Sequence, residues 1–211
     1  MDNITLAEVS QTCCASSRAK FGGVWSADNF GLLFSLPPLR QNFTKQQNKQ
    51  EKSEHDSILH VQNYFIVNTS SAGSAGVHWL LLLLLYDQQQ QQSNCRETGC
   101  FFFFVWDPLG QPLERYQLFF DHLIKISEKT EIKKIRHVRL PIQSPHSNTC
   151  GLYCLYIAHY LTQKIEQKSV RYCDFDCFIL SVFEPLKNLQ DIDLVLFCNE
   201  HCNTNLLYKI K

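Results

Sequence analysis

The chain has 211 residues, 20 acidic and 20 basic, and 45% of its residues are hydrophobic. That length is sufficient to bury a core within one domain, and the composition is that of a globular rather than a disordered protein. The zero net charge gives no support to nucleic-acid binding by the whole surface, although a local basic patch remains compatible with it.

The N-terminus and the cysteine content indicate the kind of cellular compartment in which the protein is located. MDNITLAEVSQ lacks the basic start and apolar stretch of a signal peptide, and the longest apolar run, near residues 80–85, is too short to span a bilayer as a helix. Without such a signal, the ten cysteines predict a reducing compartment rather than a disulfide framework. We therefore expect a protein that is not secreted and has no membrane contact.

The first 60 residues predict little regular structure. Thr5 and Glu8 fit a capping box, which predicts a short helix over residues 6–16. Gly22, Gly23 and the SADNFG stretch interrupt any helix that follows. Residues 40–56 are polar and rich in Gln and Lys without apolar periodicity, which predicts a solvated loop.

Strand patterns begin at residue 61. VQNYFIVNT (61–69) is rich in β-branched and aromatic residues, and VHWLLLLLLY (77–86) and CFFFFVWD (100–107) are continuous apolar runs. Such runs are typical of central strands that are buried on both faces. SSAGSAG (70–76) predicts a flexible turn, and the glutamine tract within 87–99 predicts a hairpin tip. IRHVRLPIQ (135–143) alternates like a further strand.

Helical patterns occupy the remaining segments. Residues 113–129 place apolar side chains at helical spacing, which predicts an amphipathic helix. Residues 150–164 are apolar nearly all round, as expected of a central buried helix. The last 40 residues predict one or two more helices.

Two polar residues lie at the ends of the apolar strands. His78 opens one strand, where an imidazole needs a partner, and Asp107 ends the next. Adjacent strands can place them side by side, so that the carboxylate fixes the tautomer of the ring. Taken alone, each residue has a simpler explanation, since His78 fits a satisfied core histidine and Asp107 fits an Asp-Pro turn.

A cysteine and a glutamine complete the set. Cys150 begins the apolar helix, whose N-terminus favours the thiolate, and a cationic His78 nearby would favour it further. The Gln143 side chain and the Cys150 N–H can form an oxyanion hole. A purely structural role suits Cys154 better than Cys150, a surface position is the commoner fate of a glutamine, and Trp79 is predicted either to pack near His78 or to be a core aromatic.

These stretches resemble the adenovirus protease (adenain) family. The matching segments are IVNTSSAGSAGVHW (66–79), WDPLG (106–110), QSPHSNTCGLYC (143–154) and, more weakly, FGGVWSADNFG (21–31). The resemblance implies an α+β fold with a mixed, mainly antiparallel central sheet packed against helices, and a nucleophile at the N-terminus of a central buried helix. It implies one cysteine protease domain over residues 1–211, with catalytic motifs within 76–154 and a C-terminal helical part over 171–211.

The roles that the resemblance implies are those of a Cys-His-Asp endopeptidase: Cys150 as nucleophile, His78 as base, Asp107 as orienter and Gln143 as oxyanion donor. It implies cleavage of capsid and core precursors during virion maturation, at sites with glycine near the scissile bond. We expect no cofactor for the chemistry, a monomer, and a location in the host nucleus and virion or in the cytoplasm. Two departures are Asp107, where adenoviral enzymes typically carry glutamate, and a longer hairpin before it.

Activation is a separate expectation. Adenoviral relatives are activated by DNA and by a viral peptide that forms a disulfide, but the corresponding position falls near Ile132, so we doubt a covalent peptide here. A basic cluster could contact DNA phosphates, although a solvated strand face is the favoured interpretation. The cluster consists of Lys133, Lys134, Arg136 and Arg139.

Three alternatives stay open. The chain could process SUMO or another ubiquitin-like modifier, as proteases of the same wider group do. It could be a catalytically inactive relic, since homopolymeric runs indicate biased sequence. It could also be a zinc-binding module, although structural zinc sites more often use tighter ligand pairs. The candidate zinc ligands are Cys173, Cys177, Cys198 and Cys202.

Overall fold

The structure, a computed structural model, describes residues 20–35, 58–70, 78–88, 100–130 and 132–202. The predicted helix over 6–16 and the predicted loop over 40–56 lie outside these residues. Most of the turn over 70–76 and of the glutamine tract does so as well.

Five strands form one sheet in chain order. They are β1 (Lys20–Ser26), β2 (Ile58–Asn68), β3 (Trp79–Gln88), β4 (Cys100–Trp106) and β5 (Ile132–Val138). The central pairs β2–β3 and β3–β4 are antiparallel, whereas the edge strands β1 and β5 are parallel to their neighbours. The predicted mixed sheet is therefore confirmed, with its antiparallel pairs at the centre and both parallel pairs at the edges.

Four α-helices lie in the described part of the chain: α1 (Gln117–Lys129), α2 (Cys150–Lys168), α3 (Phe175–Phe183) and α4 (Asp191–Cys202). The amphipathic helix, the buried helix that begins at Cys150 and the C-terminal helices are thus confirmed. Short 3-10 helices occupy Phe30–Ser35, Leu113–Tyr116, Tyr172–Asp174 and Glu184–Asn188. Within the described residues, every helix is too short or too polar to cross a bilayer.

The leucine run of β3 is apolar throughout because helices cover both faces of the sheet. Leu81, Leu83 and Leu85 face a cluster shared with α2, α3 and α4. The alternate leucines of the same strand face a second cluster that includes Phe119 and Leu123 of α1. Since strand side chains alternate between faces, a strand covered on both sides needs an apolar residue at every position.

Strand β1 was not predicted, because its two glycines look like a break. The pairing of β1 with β2 shifts register between Phe21 and Val24, which places Gly22 and Gly23 in a bulge. Gly23 has a φ of 111°, a conformation that side-chain-bearing residues rarely adopt. A Cβ at Gly22 would lie 1.9 Å from Cε1 of Phe65, so the absence of a side chain lets the strand approach the core.

We expect Gly22→Ala to lower the free energy of unfolding by about 1–3 kcal/mol, because the added methyl overlaps the fully buried Phe65 ring. Urea unfolding measures the loss. In the double variant Gly22→Ala/Phe65→Leu the total loss should be smaller than the sum of the single losses, since the smaller side chain vacates the space. A Gly22→Ala variant as stable as the wild type would show that β1 does not lie this close to Phe65.

Candidate active site

His78 lies immediately before β3 and is 6% exposed. Its carbonyl accepts hydrogen bonds from the backbone N–H of Thr69 at 3.0 Å and from the Thr69 hydroxyl at 3.3 Å. Thr69 follows β2, whose pairing with β3 ends at Asn68 opposite Trp79. The neighbouring strand therefore fixes the backbone from which the imidazole projects.

Asp107 lies directly after β4 and is fully buried. Because Leu81 of β3 pairs with Trp106 of β4, the start of β3 and the end of β4 lie next to each other. His78 Nε2 donates to Asp107 Oδ1 at 2.6 Å. The structure therefore brings together the two residues that the sequence placed at neighbouring strand ends.

Every oxygen of the Asp107 carboxylate has partners. Oδ1 also accepts from the backbone N–H of Leu109 at 2.7 Å, and Oδ2 accepts from the N–H of Gln111 and the hydroxyl of Tyr116, both at 2.9 Å. Burial alone would raise the pKa of Asp107, but the His78 ring and these donors hold it below its usual value. One carboxylate therefore both stabilises the Asp-Pro turn and binds the His78 ring.

Tyr116 is a site residue that the sequence analysis treated only as an apolar helix position. Its ring stacks on the His78 ring, with centroids 5.7 Å apart and planes 27° apart, while its hydroxyl holds Asp107. Burial and the nearby Asp107 charge raise the pKa of Tyr116, which keeps the hydroxyl a donor. Trp79, in contrast, is 3% exposed within the main core cluster, as its second interpretation expected.

Cys150 is the first residue of α2 and is 8% exposed. Burial would lower the pKa of His78, but hydrogen bonds and charge interactions with Asp107 and Cys150 raise it to about 9. Because Asp107 occupies Nε2, the ring has Nδ1 left for the sulfur.

Cys154 lies one turn further along α2 and is more enclosed than Cys150. It is fully buried, and its Sγ donates to the carbonyl of Trp79 at 3.5 Å. Burial raises the pKa of the Cys154 thiol well above its ordinary value. A protonated, enclosed thiol is a poor nucleophile, so Cys154 fits a structural role.

Gln143 is 5% exposed and is tied to the turn that follows Asp107. The backbone N–H groups of Ile142 and Gln143 both donate to the Pro108 carbonyl at 3.0 Å, and the Gln143 side-chain nitrogen donates to the Ser147 carbonyl at 2.7 Å. An amide nitrogen carries two hydrogens, so one remains after this contact. The segment from Gln143 to Cys150 thus offers donors at both ends.

Three residues of the basic cluster on and directly after β5 contact other parts of the protein. Arg136 lies 2.5 Å from Asp176 and 4.6 Å from the Tyr172 ring centroid, over which Lys134 lies at 5.1 Å. Arg139 donates to the Gly110 carbonyl at 3.3 Å. The side chain of Lys133 is outside the described residues. These contacts agree with the interpretation as a solvated strand face, and contact with DNA stays a prediction.

The zinc interpretation gains no support from the structure. Cys173 and Cys177 are exposed, whereas Cys198 is buried, and the Cys202 side chain is not described. Among the described residues, no three His, Cys, Asp or Glu side chains are grouped closely enough to hold a metal ion.

Comparison with known proteins matches residues 58–173, more than half of the chain, to the family described as adenovirus endoprotease. This segment contains all four candidate residues. A protease of bovine adenovirus C serotype 10 is 35% identical over 103 residues, which cover 44% of this chain and 45% of that protein. The chain therefore matches less than half the length of this relative.

Solved structures give weaker similarities. A deletion variant of AvrA has a TM-score of 0.46 and 16% identity, covering 94% of this chain and 68% of the other. A protease of ASFV has a TM-score of 0.40 and 14% identity, with coverages of 89% and 66%. The family match is the stronger finding, and the chain belongs to the adenovirus endoprotease family.

The raised pKa of His78 predicts a pH dependence of stability. A folded pKa of about 9 against an ordinary value of 6.5 means that the folded state holds a proton that the unfolded state has lost between these values. This stabilisation is complete below about pH 6.5 and is lost as the pH rises through about 9. Urea unfolding under reducing conditions should therefore show wild-type stability falling across this range relative to His78→Gln. Parallel curves for the two proteins would contradict the raised pKa.

Proposed function

We propose that this protein is a cysteine endopeptidase in which Cys150 is the nucleophile, His78 carries the proton and Asp107 fixes the ring. The observation that carries the proposal is the buried 2.6 Å contact between His78 and Asp107, together with the influence of the nearby Cys150 on the pKa of the same ring. Gln143, buried seven residues before Cys150, supplies the oxyanion donor. Family membership supports the peptidase class.

The first half of the reaction forms an acyl-enzyme. The proton of Cys150 resides on His78, and the thiolate forms a C–S bond to the scissile carbonyl carbon while the carbonyl electron pair moves to oxygen. The Cys150 backbone N–H and the Gln143 side chain stabilise that oxyanion. The intermediate then expels the amine as the C–N bond breaks, and His78 gives its proton to the leaving nitrogen.

The second half releases the acyl group. Neutral His78 takes a proton from water, the resulting hydroxide adds to the thioester carbonyl, and the C–S bond breaks to give a carboxylic acid and the Cys150 thiolate. The imidazolium is thereby restored beside the thiolate. Asp107 keeps its charge throughout, because its hydrogen bonds stabilise the carboxylate in each state.

For the substrates, we propose capsid and core precursors cut during virion maturation, in the host nucleus and virion or in the cytoplasm. The family match and the viral relative support this class. Co-expression with neighbouring capsid-like genes, in wild-type and Cys150→Ser forms, tests it directly. Cleavage of a SUMO precursor fusion in preference to glycine-containing viral peptides would instead place the protein with the modifier-processing proteases. Activation by a peptide or by DNA is a further proposal that added peptide or duplex would test in the same assay.

We expect Cys150→Ala to abolish cleavage and Cys154→Ala to retain most of it, with both variants folded. Only Cys150 adjoins His78, whereas the Cys154 thiol is enclosed. Peptidase rates on a glycine-containing peptide, circular dichroism and the site of iodoacetamide labelling are the measurements. Labelling of the native protein should favour Cys150 over Cys154. Equal loss of activity in two folded variants would contradict the assignment.

A further inference from the structure

Asp191, the first residue of α4, binds the segment that leads to Cys150. The Ser147 hydroxyl lies 2.9 Å from both carboxylate oxygens of Asp191, and the Thr149 hydroxyl lies 2.9 Å from one of them. The two hydroxyls are also 2.6 Å apart. One carboxylate from the C-terminal part of the chain therefore holds two residues of the loop before α2.

Those two residues adjoin the two oxyanion donors. The Ser147 carbonyl accepts from the Gln143 side chain at 2.7 Å, so the position of Ser147 sets the plane of that amide. Thr149 precedes Cys150 at the N-cap position of α2, and its carbonyl accepts the first hydrogen bonds of the helix, from the N–H groups of Leu152 and Tyr153 at 2.8 and 3.1 Å. Displacing either residue would change the distance between the Gln143 amide and the Cys150 N–H.

The contact also lies beside an open cleft next to the loop. A cleft of about 560 Å³ is lined by the loop and by the residues that lead into α4, and Gln143, Ser147 and Asp191 are among its lining residues. The carboxylate–hydroxyl bridge beside this cleft joins the loop directly to α4. A carboxylate near the N-termini of α2 and α4 is itself electrostatically favourable.

We propose that Asp191 is a positioning residue of the oxyanion hole, which it aligns through Ser147 and Thr149. The inference depends on the proposed peptidase function for its consequence in catalysis. In this role Asp191 does not contact the substrate. Helix α4 instead fixes the spacing of two hydrogen-bond donors that must act together on one oxygen.

Asp193 provides the matched control. It also lies in the first turn of α4, but its carboxylate accepts from the backbone N–H of Gln190 at 2.9 Å rather than from the loop. Asp191→Asn and Asp193→Asn therefore remove the same charge from the same helix turn. Only the first substitution places an amide against the Ser147 and Thr149 hydroxyls.

The kinetic test compares these variants on one glycine-containing peptide. We expect Asp191→Asn to reduce kcat by about 10- to 100-fold with little change in KM, because misalignment affects the transition state more than binding. Asp193→Asn should stay within about twofold of the wild type, and Ser147→Ala/Thr149→Val should reproduce the Asp191→Asn loss with no further loss when combined with it. Alkylation of Cys150 by iodoacetamide should be unchanged, since that reaction forms no oxyanion.

Hydrogen exchange separates this inference from the proposed function. Amides of residues 143–153 should exchange faster in Asp191→Asn than in Asp193→Asn, whether or not the wild type cuts peptides. Equal exchange in the two variants, or equal kcat in an active enzyme, would overturn the positioning role. A wild type without peptidase activity would remove the proposed function, and the exchange comparison alone would then decide whether Asp191 holds this segment.

Discussion

The buried pairing of His78 with Asp107 constrains the rest of the site. A carboxylate that is fully enclosed must be hydrogen-bonded or it will take up a proton, and Asp107 meets this condition with donors from residues 78, 109, 111 and 116. Three of the four come from the segment that directly follows β4. The turn after β4 therefore stabilises the Asp107 carboxylate, and this carboxylate in turn stabilises a positive charge on His78.

The sheet is covered by helices on both faces, and this packing supplies the rigidity that the site needs. Strands β3 and β4 are buried by helices on both sides, so the core anchors the strand ends at which His78 and Asp107 lie. The segment that carries Gln143 is attached to the end of β4. The Trp106 indole donates to the Leu140 carbonyl at 2.9 Å, and the Pro108 carbonyl accepts two N–H groups. His78, Asp107 and Gln143 are thus positioned by the adjoining ends of β3 and β4.

Much of this was predictable from the sequence, for physical reasons that differ by element. Continuous apolar runs identify β3 and β4 because only burial on both faces requires them, and α2 is recognisable because it is apolar all round. Strand β1 was missed because a bulge built from Gly22 and Gly23 has the composition of a turn. His78, Asp107 and Cys150 were chosen as candidates from their places at element ends, which local pattern does define, and the contact of His78 with Asp107 follows from the pairing of β3 with β4.

Tyr116 and Asp191 could not be found in the same way, because their roles depend on tertiary contacts. Tyr116 is the last residue of the 3-10 turn before α1, and its hydroxyl donates to Asp107. Helical periodicity in the sequence does not predict this contact. Asp191 lies 42 residues from Thr149 in the chain, and an aspartate that opens a helix has an ordinary local explanation. A local rule already accounts for such a residue, so the contacts of Asp191 with Ser147 and Thr149 become visible only when α4 packs beside α2.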